Sequence, residues 1–377
     1  MKKCLLILSI LLFSCTNQNQ RSGKTPTIPT NNTSTYESNT TKSEQLADPL
    51  ILDGRPFVGY QGKAYRKDEA ELITSLTCNF NSDATVRWHS LEGVEQLVNL
   101  KSLSVFGEDL NNVDFSLLSP LSNLKSLYFR GITRLPDLTM LEQISYINIK
   151  DTGNGRDSRL KNFEGIGAPN VNMIDILNWI EIDSYAPLNN LHYLEKLVIN
   201  SLGQKVYKIA DISNLPRLKN LQIITGAEID LQGIEGLLAL ENISLSSSKP
   251  FNIESIGKLK NLKHLDLKLI HPEPSLEFLR DMPNLSVLYL TANENSNYSY
   301  DFEPYQVLDV SPLATLKNLR MLGCTDFIIK NIATLDVLDA LSIQDDESPG
   351  YIYLAGSRLF DNTEKSKHPL VLEHPVK

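Results

Sequence analysis

The chain has 377 residues, 41% of them hydrophobic and 21% charged, with a formal charge of −9. That much apolar material excludes wholesale disorder, and an acidic chain without Lys/Arg runs excludes nucleic acid as a natural partner. The balance becomes −11 when the leader carrying Lys2 and Lys3 is removed.

Residues 1–14 read as a signal peptide. Lys2 and Lys3 precede a nearly unbroken apolar run from Leu5 to Phe13, too short for the about 20 residues that span a bilayer as a helix. The ending Leu12-Phe13-Ser14-Cys15 resembles a bacterial lipoprotein box, with Phe13 where a smaller residue is usual. The resemblance implies a lipidated Cys15 as the first mature residue and a lipid-anchored protein of the bacterial cell envelope. Thr16 is not the aspartate that retains some lipoproteins at the inner membrane, so the outer membrane is expected, at its surface or periplasmic face. Residues 15–47 are rich in Ser, Thr and Asn and form a disordered tether. As a flexible coil of about 30 residues it would reach roughly 30 Å.

Residues 48–71 carry Gly54, Pro56, Gly59 and Gly62 among Phe57, Tyr60 and Tyr65, and read as an N-terminal cap over an open core. Repeats then run over residues 72–344. In IGKLKNLKHLDL, apolar residues fall at Ile256, Leu259, Leu262, Leu265 and Leu267. Steps of three belong to a tight 3₁₀-like coil, and the last step of two to a strand. First inward strand residues are Leu76, Leu103, Leu127, Ile147, Ile174, Leu197, Leu221, Ile243, Leu265, Leu288, Leu322 and Leu341, with spacings centred on 22–24 residues. No single unit buries its own apolar side, so stacking is obligatory.

Segments such as DVSPLATLKNLRML, LSPLSNLKSLYF and ADISNLPRLKNLQI resemble the internalin type of bacterial leucine-rich repeat. The fold this implies is an α/β repeat solenoid. It is a leucine-rich repeat horseshoe with a parallel concave β-sheet of about twelve strands and short coil or 3₁₀ segments on the convex side. The family often has Asn five residues after the first strand leucine, as a ladder bonding neighbouring backbones. Here only Asn293 holds that place, while Glu108, Ile132, Trp179, Gly226, Ser248 and Asp346 stand at others. Residues 345–377 read as a C-terminal cap, with a closing strand at Tyr351 to Leu354, and a loose tail from Arg358.

Because strand neighbours alternate, residues flanking the inward ones face the groove. Its N-terminal half gathers Phe106, Tyr128, Arg130, Tyr146, Lys150 and Met173, several of them types enriched in interface hot spots and cores. A second candidate is the insertion at residues 291–305, whose Tyr298, Tyr300 and Tyr305 sit among Asn and Ser in a mixture that suits recognition.

Signals for chemistry are missing. Six histidines show no HExxH motif or Cys partner, and no metal or cofactor is expected. Cys78 and Cys324 occupy the same inward position ten strands apart, roughly 48 Å at ~4.8 Å per strand, far beyond disulfide reach. The expected function is a non-catalytic protein-binding module of the envelope acting through the concave face, surface-exposed as a receptor or adhesin. The alternative is a periplasm-facing scaffold that organises envelope proteins. The expected partners are a protein ligand and, through the anchor, a membrane, with the chain itself a monomer.

Overall fold

The computed structural model describes residues 48–59, 62–81, 84–108, 110–150, 160, 162–178, 182–201, 206–247, 249–269, 275–292, 306–325, 327–331, 334–335, 351–355, 358–359 and 371–373. Cys15, the tether, Tyr298, Tyr300, Tyr305 and the strand expected at Leu341 lie outside the described residues.

Each repeat contributes a strand just long enough to bury an alternating apolar pair. β1 (Ser75–Asn79) buries Leu76 and Cys78, and β2 (Ser102–Phe106) buries Leu103 and Val105 while its three other side chains face outward. The pattern repeats in β3 (Ser126–Arg130), β4 (Tyr146–Lys150), β5 (Met173–Asn178), β6 (Lys196–Ser201), β7 (Asn220–Thr225) and β8 (Asn242–Ser246). It continues through β9 (His264–Leu269), β10 (Val287–Ala292) and β11 (Met321–Thr325), and the sheet ends in β12 (Tyr351–Ala355) and β13 (Val371–Glu373). These thirteen strands form one parallel sheet in chain order. Register is strict: Leu103 lies opposite Leu127, Leu127 opposite Ile147 and Ile147 opposite Ile174. A slip of one residue would turn every such side chain to solvent.

Ahead of the strands, the steps of three place Leu97 and Leu100, Leu121 and Leu124, and Leu259 and Leu262 in the core. Short 3₁₀ turns such as Phe115–Leu118, Ile234–Gly236 and Ile253–Lys258 lie on the far side of the coils from the sheet. Some begin at a carboxylate that serves an otherwise unpaired amide. Asp114 accepts from the Ser116 N–H at 2.9 Å, and Asp309 does the same for Ser311 at 2.8 Å. An aromatic spine, Phe163, Tyr185 and Tyr207, stacks through three repeats at centroid separations of 5.4 and 5.3 Å.

The C-terminal end differs from the sequence expectation. Met321 pairs with Tyr351, so the strand beside β11 is the Tyr351–Ala355 segment and not one beginning at Leu341. Nor are residues 358–377 wholly a loose tail, because Val371–Glu373 pairs with β12 and Arg358–Leu359 pairs with Phe327–Lys330. The spacing of 30 residues from Leu322 to Ile352, about a third of a repeat longer than the usual 22–24, hides this register from a period count.

The amide ladder is present, but at another place. Asn99, Asn123, Asn170, Asn261, Asn284 and Asn318, in the turn ahead of each strand, donate from Nδ2 to a backbone carbonyl of the preceding coil at 2.6–2.9 Å. Gln143 does the same at 2.8 Å. The ladder lapses at Tyr193, Arg217 and Ala239, where the Arg217 guanidinium lies 4.4 Å from the Tyr193 ring centroid instead.

At the N-terminal end, Ile51–Leu52 and Arg55–Pro56 form a small hairpin whose Leu50 and Leu52 are buried. The Asp53 carboxylate, almost wholly enclosed, accepts from the His89 and Ser90 N–H groups and pairs with Arg55 at 3.1 Å. This ties the hairpin to the first coil. Cys78 and Cys324 are buried and form no disulfide, and burial pushes the Cys324 thiol up to about 12. Among the described residues, no helix is long and apolar enough to cross a membrane.

Candidate functional site

Side chains that are not drawn into the core line the concave face in three rows, because each strand offers three outward positions. In the N-terminal half these rows carry Phe106 on β2, Tyr128 and Arg130 on β3, Tyr146 and Lys150 on β4, and Met173 on β5. Adjacent strands lie ~4.8 Å apart, so the six form one patch.

Three contacts fix its shape. The Arg130 guanidinium carbon lies 5.5 Å from the centre of the Phe106 ring, within cation–π range. Tyr128 and Tyr146 meet edge to face, with centroids 5.6 Å apart and planes at 81°. Tyr146 donates its hydroxyl proton to Asp175 Oδ2 at 2.7 Å. Burial and that carboxylate both push the Tyr146 phenol well above its usual range, so it stays protonated as a donor. Phe106, Tyr128, Arg130, Tyr146 and Met173 are all half-buried, and Lys150 is exposed. A half-buried residue held by its neighbours offers contact area with less rotamer entropy left to lose on binding.

Asp175 holds Tyr146 in place but was not among the residues singled out from the sequence. Its other oxygen, Oδ1, is sealed from solvent and meets no donor among the described residues. Strand alternation puts Asp175 in the groove, but its bond to Tyr146 depends on rotamers on two adjacent strands. A period count carries no information about them.

The C-terminal half of the face holds a depression of about 370 Å³, lined by residues that include Gln222, Ser244, His264, Asp266 and Tyr289. It too went unselected, although Gly323 in the middle of MLGCT was a usable signal, since glycine inside a strand marks close approach. A larger hollow of about 640 Å³ lies among the coil turns, away from the sheet. Of its acidic groups, Asp114 and Asp137 are engaged by Ser116 and Thr139 as turn caps, and those hydrogen bonds hold both carboxyls below the usual range. Among the described residues, no three His, Cys, Asp or Glu side chains are placed to hold a metal ion.

Neither a protein-family model nor a curated protein matches this sequence. Solved structures do. An internalin from Listeria monocytogenes matches with a TM-score of 0.52 at 17% identity, over 84% of this chain and 90% of that one. A leucine-rich-repeat protein from Leptospira interrogans matches with a TM-score of 0.43 at 15% identity, over 82% of this chain and 97% of that one. The fold of this chain is the internalin-type leucine-rich repeat solenoid.

Proposed function

We propose that this solenoid of internalin-type repeats is a non-catalytic module that binds another protein through its concave face. The observation that carries the reading is the contiguous patch of Phe106, Tyr128, Arg130, Tyr146 and Met173, braced by ring contacts and by Asp175. Aromatic residues, arginine and methionine on a rigid sheet are the composition of interface hot spots and cores. A photo-crosslinking side chain at Ser104, in the groove, tests it. A defined protein adduct should form there, not at Met140 outside the groove, and should weaken at least tenfold with Tyr128→Ala plus Tyr146→Ala. An adduct indifferent to both changes would move the site elsewhere.

Placement in the cell belongs to the same proposal. The signal peptide, the lipid-box cysteine at Cys15 and the polar tether support a lipoprotein held at the outer membrane and displayed on the cell surface. Protease added to intact cells should remove it while a periplasmic control survives. Survival until lysis would instead favour a scaffold facing the periplasm.

A further inference from the structure

The C-terminal depression lies on the same concave face but shares no residue with the aromatic patch. Its floor is the central row of three neighbouring strands, with Gln222, Ser244 and Asp266 opposite one another in register. Beside them Asn242 Nδ2 donates to Asn220 Oδ1 at 2.8 Å, and Val287 and Tyr289 complete the wall. At about 370 Å³ it is near the lower end of ligand pockets, suited to one long side chain rather than a cofactor.

Gly323 seats one wall of the depression. It sits beside Tyr289 in register, and a β-carbon there would overlap the Cδ1–Cε1 edge of the tyrosine ring. Without that carbon the ring lies across β11, its hydroxyl against the Met321 sulfur.

At the bottom, Asp266 Oδ2 accepts from Ser244 Oγ at 3.1 Å. No cation among the described residues pairs with this carboxylate, not even Lys268 two residues along the same strand. The neighbouring Lys263 is taken by Glu241 at 2.9 Å. Lys196, at the opposite rim, is three strands away, roughly 14 Å at ~4.8 Å per strand. Partial desolvation by the surrounding strands pushes the Asp266 carboxyl above its usual range, while the residue itself stays exposed at the surface of the groove.

We propose that this depression is an arginine pocket, in which a guanidinium presented by the protein partner pairs with Asp266 and stacks against Tyr289. The proposal rests on the protein-binding reading of the concave face and supplies the chemistry of one contact. A carboxylate takes a guanidinium through two parallel hydrogen bonds, and the tyrosine face attracts the same planar cation. The side-chain carbonyls of Gln222 and Asn242 are acceptors for its remaining N–H groups. A lysine ammonium is more strongly hydrated and gains less there. An apolar side chain would strand the carboxylate unpaired, and an anion would be repelled.

The test is selection of a phage-displayed random 12-residue peptide library on the whole protein, followed by titration of synthetic copies of the selected peptides. Selected peptides should share one arginine. Asp266→Asn should weaken them at least tenfold, and Gly323→Ala should do the same by driving the Tyr289 ring from its seat, with unfolding midpoints unchanged. Changing that arginine to glutamate should restore binding to Asp266→Lys. Peptides that bind the groove without an arginine, or with affinity unmoved by Asp266→Asn, overturn the pocket and leave the protein-binding reading standing. If no selected peptide binds the concave face, both fall.

Discussion

Tyr146 and Asp175 can be separated from their neighbours by a double-mutant cycle whose outcome has a definite sign. Tyr146→Phe keeps the ring and its edge-to-face contact with Tyr128 but removes the hydrogen bond of 2.7 Å to Asp175. Hydrogen bonds to ionised groups contribute about 1.5–3 kcal/mol, and the half-exposed position of both partners favours the lower end, about 1.5 kcal/mol. Asp175→Ala removes the same bond, but it also removes Oδ1, which is sealed from water without a donor and therefore costs stability. Asp175→Ala should thus be milder than Tyr146→Phe, and the double variant should be more stable than Tyr146→Phe alone. Urea unfolding at pH 7 measures the effect. With a slope of about 3 kcal/mol/M, Tyr146→Phe should lower the midpoint by about 0.5 M. Additive single effects, with a coupling below about 0.5 kcal/mol, would show that Asp175 does not pin Tyr146 and would remove the argument that the patch is preorganised.

The displaced amide ladder makes a paired prediction. Asn261→Ala, which frees the Leu238 carbonyl, should cost about 1 kcal/mol in urea unfolding, and Ala239→Asn, which fills a lapse, should recover a similar amount. Removing a fully buried leucine is more severe, and Leu240→Ala should cost about 2–5 kcal/mol. Cys78 and Cys324 should resist a thiol reagent such as DTNB in the folded protein and react only at the rate of unfolding, since burial raises both thiols. Asp114 and Asp137 have folded pKa values held below the ordinary carboxylate by their turn hydrogen bonds. Their contribution is fully present above the unfolded value of about 3.9 and is lost as pH falls through the lower folded value. Asp114→Ala with Asp137→Ala should therefore flatten the acid limb of stability below about pH 4, read as unfolding midpoint against pH.

Local periodicity determined the solenoid. Steps of three followed by two, repeated in phase, fix which side chain of each strand is inward, and the groove positions of Phe106, Tyr128, Arg130, Tyr146, Lys150 and Met173 follow from that alternation alone. The leucines carry this information because each buries itself whatever its neighbours' rotamers are. Tertiary structure was needed wherever one repeat answers to another. The strand beside Met321–Thr325 is chosen by pairing, not by spacing, and so lies at Tyr351–Ala355 and not at Leu341. The asparagine ladder runs through Asn99, Asn123 and Asn261 because their amides reach carbonyls of the coil before, a distance no single repeat encodes. The same holds for the bond from Tyr146 to Asp175 and for the seat that Gly323 gives Tyr289, since each joins residues more than a repeat apart whose contact exists only once the coils have stacked.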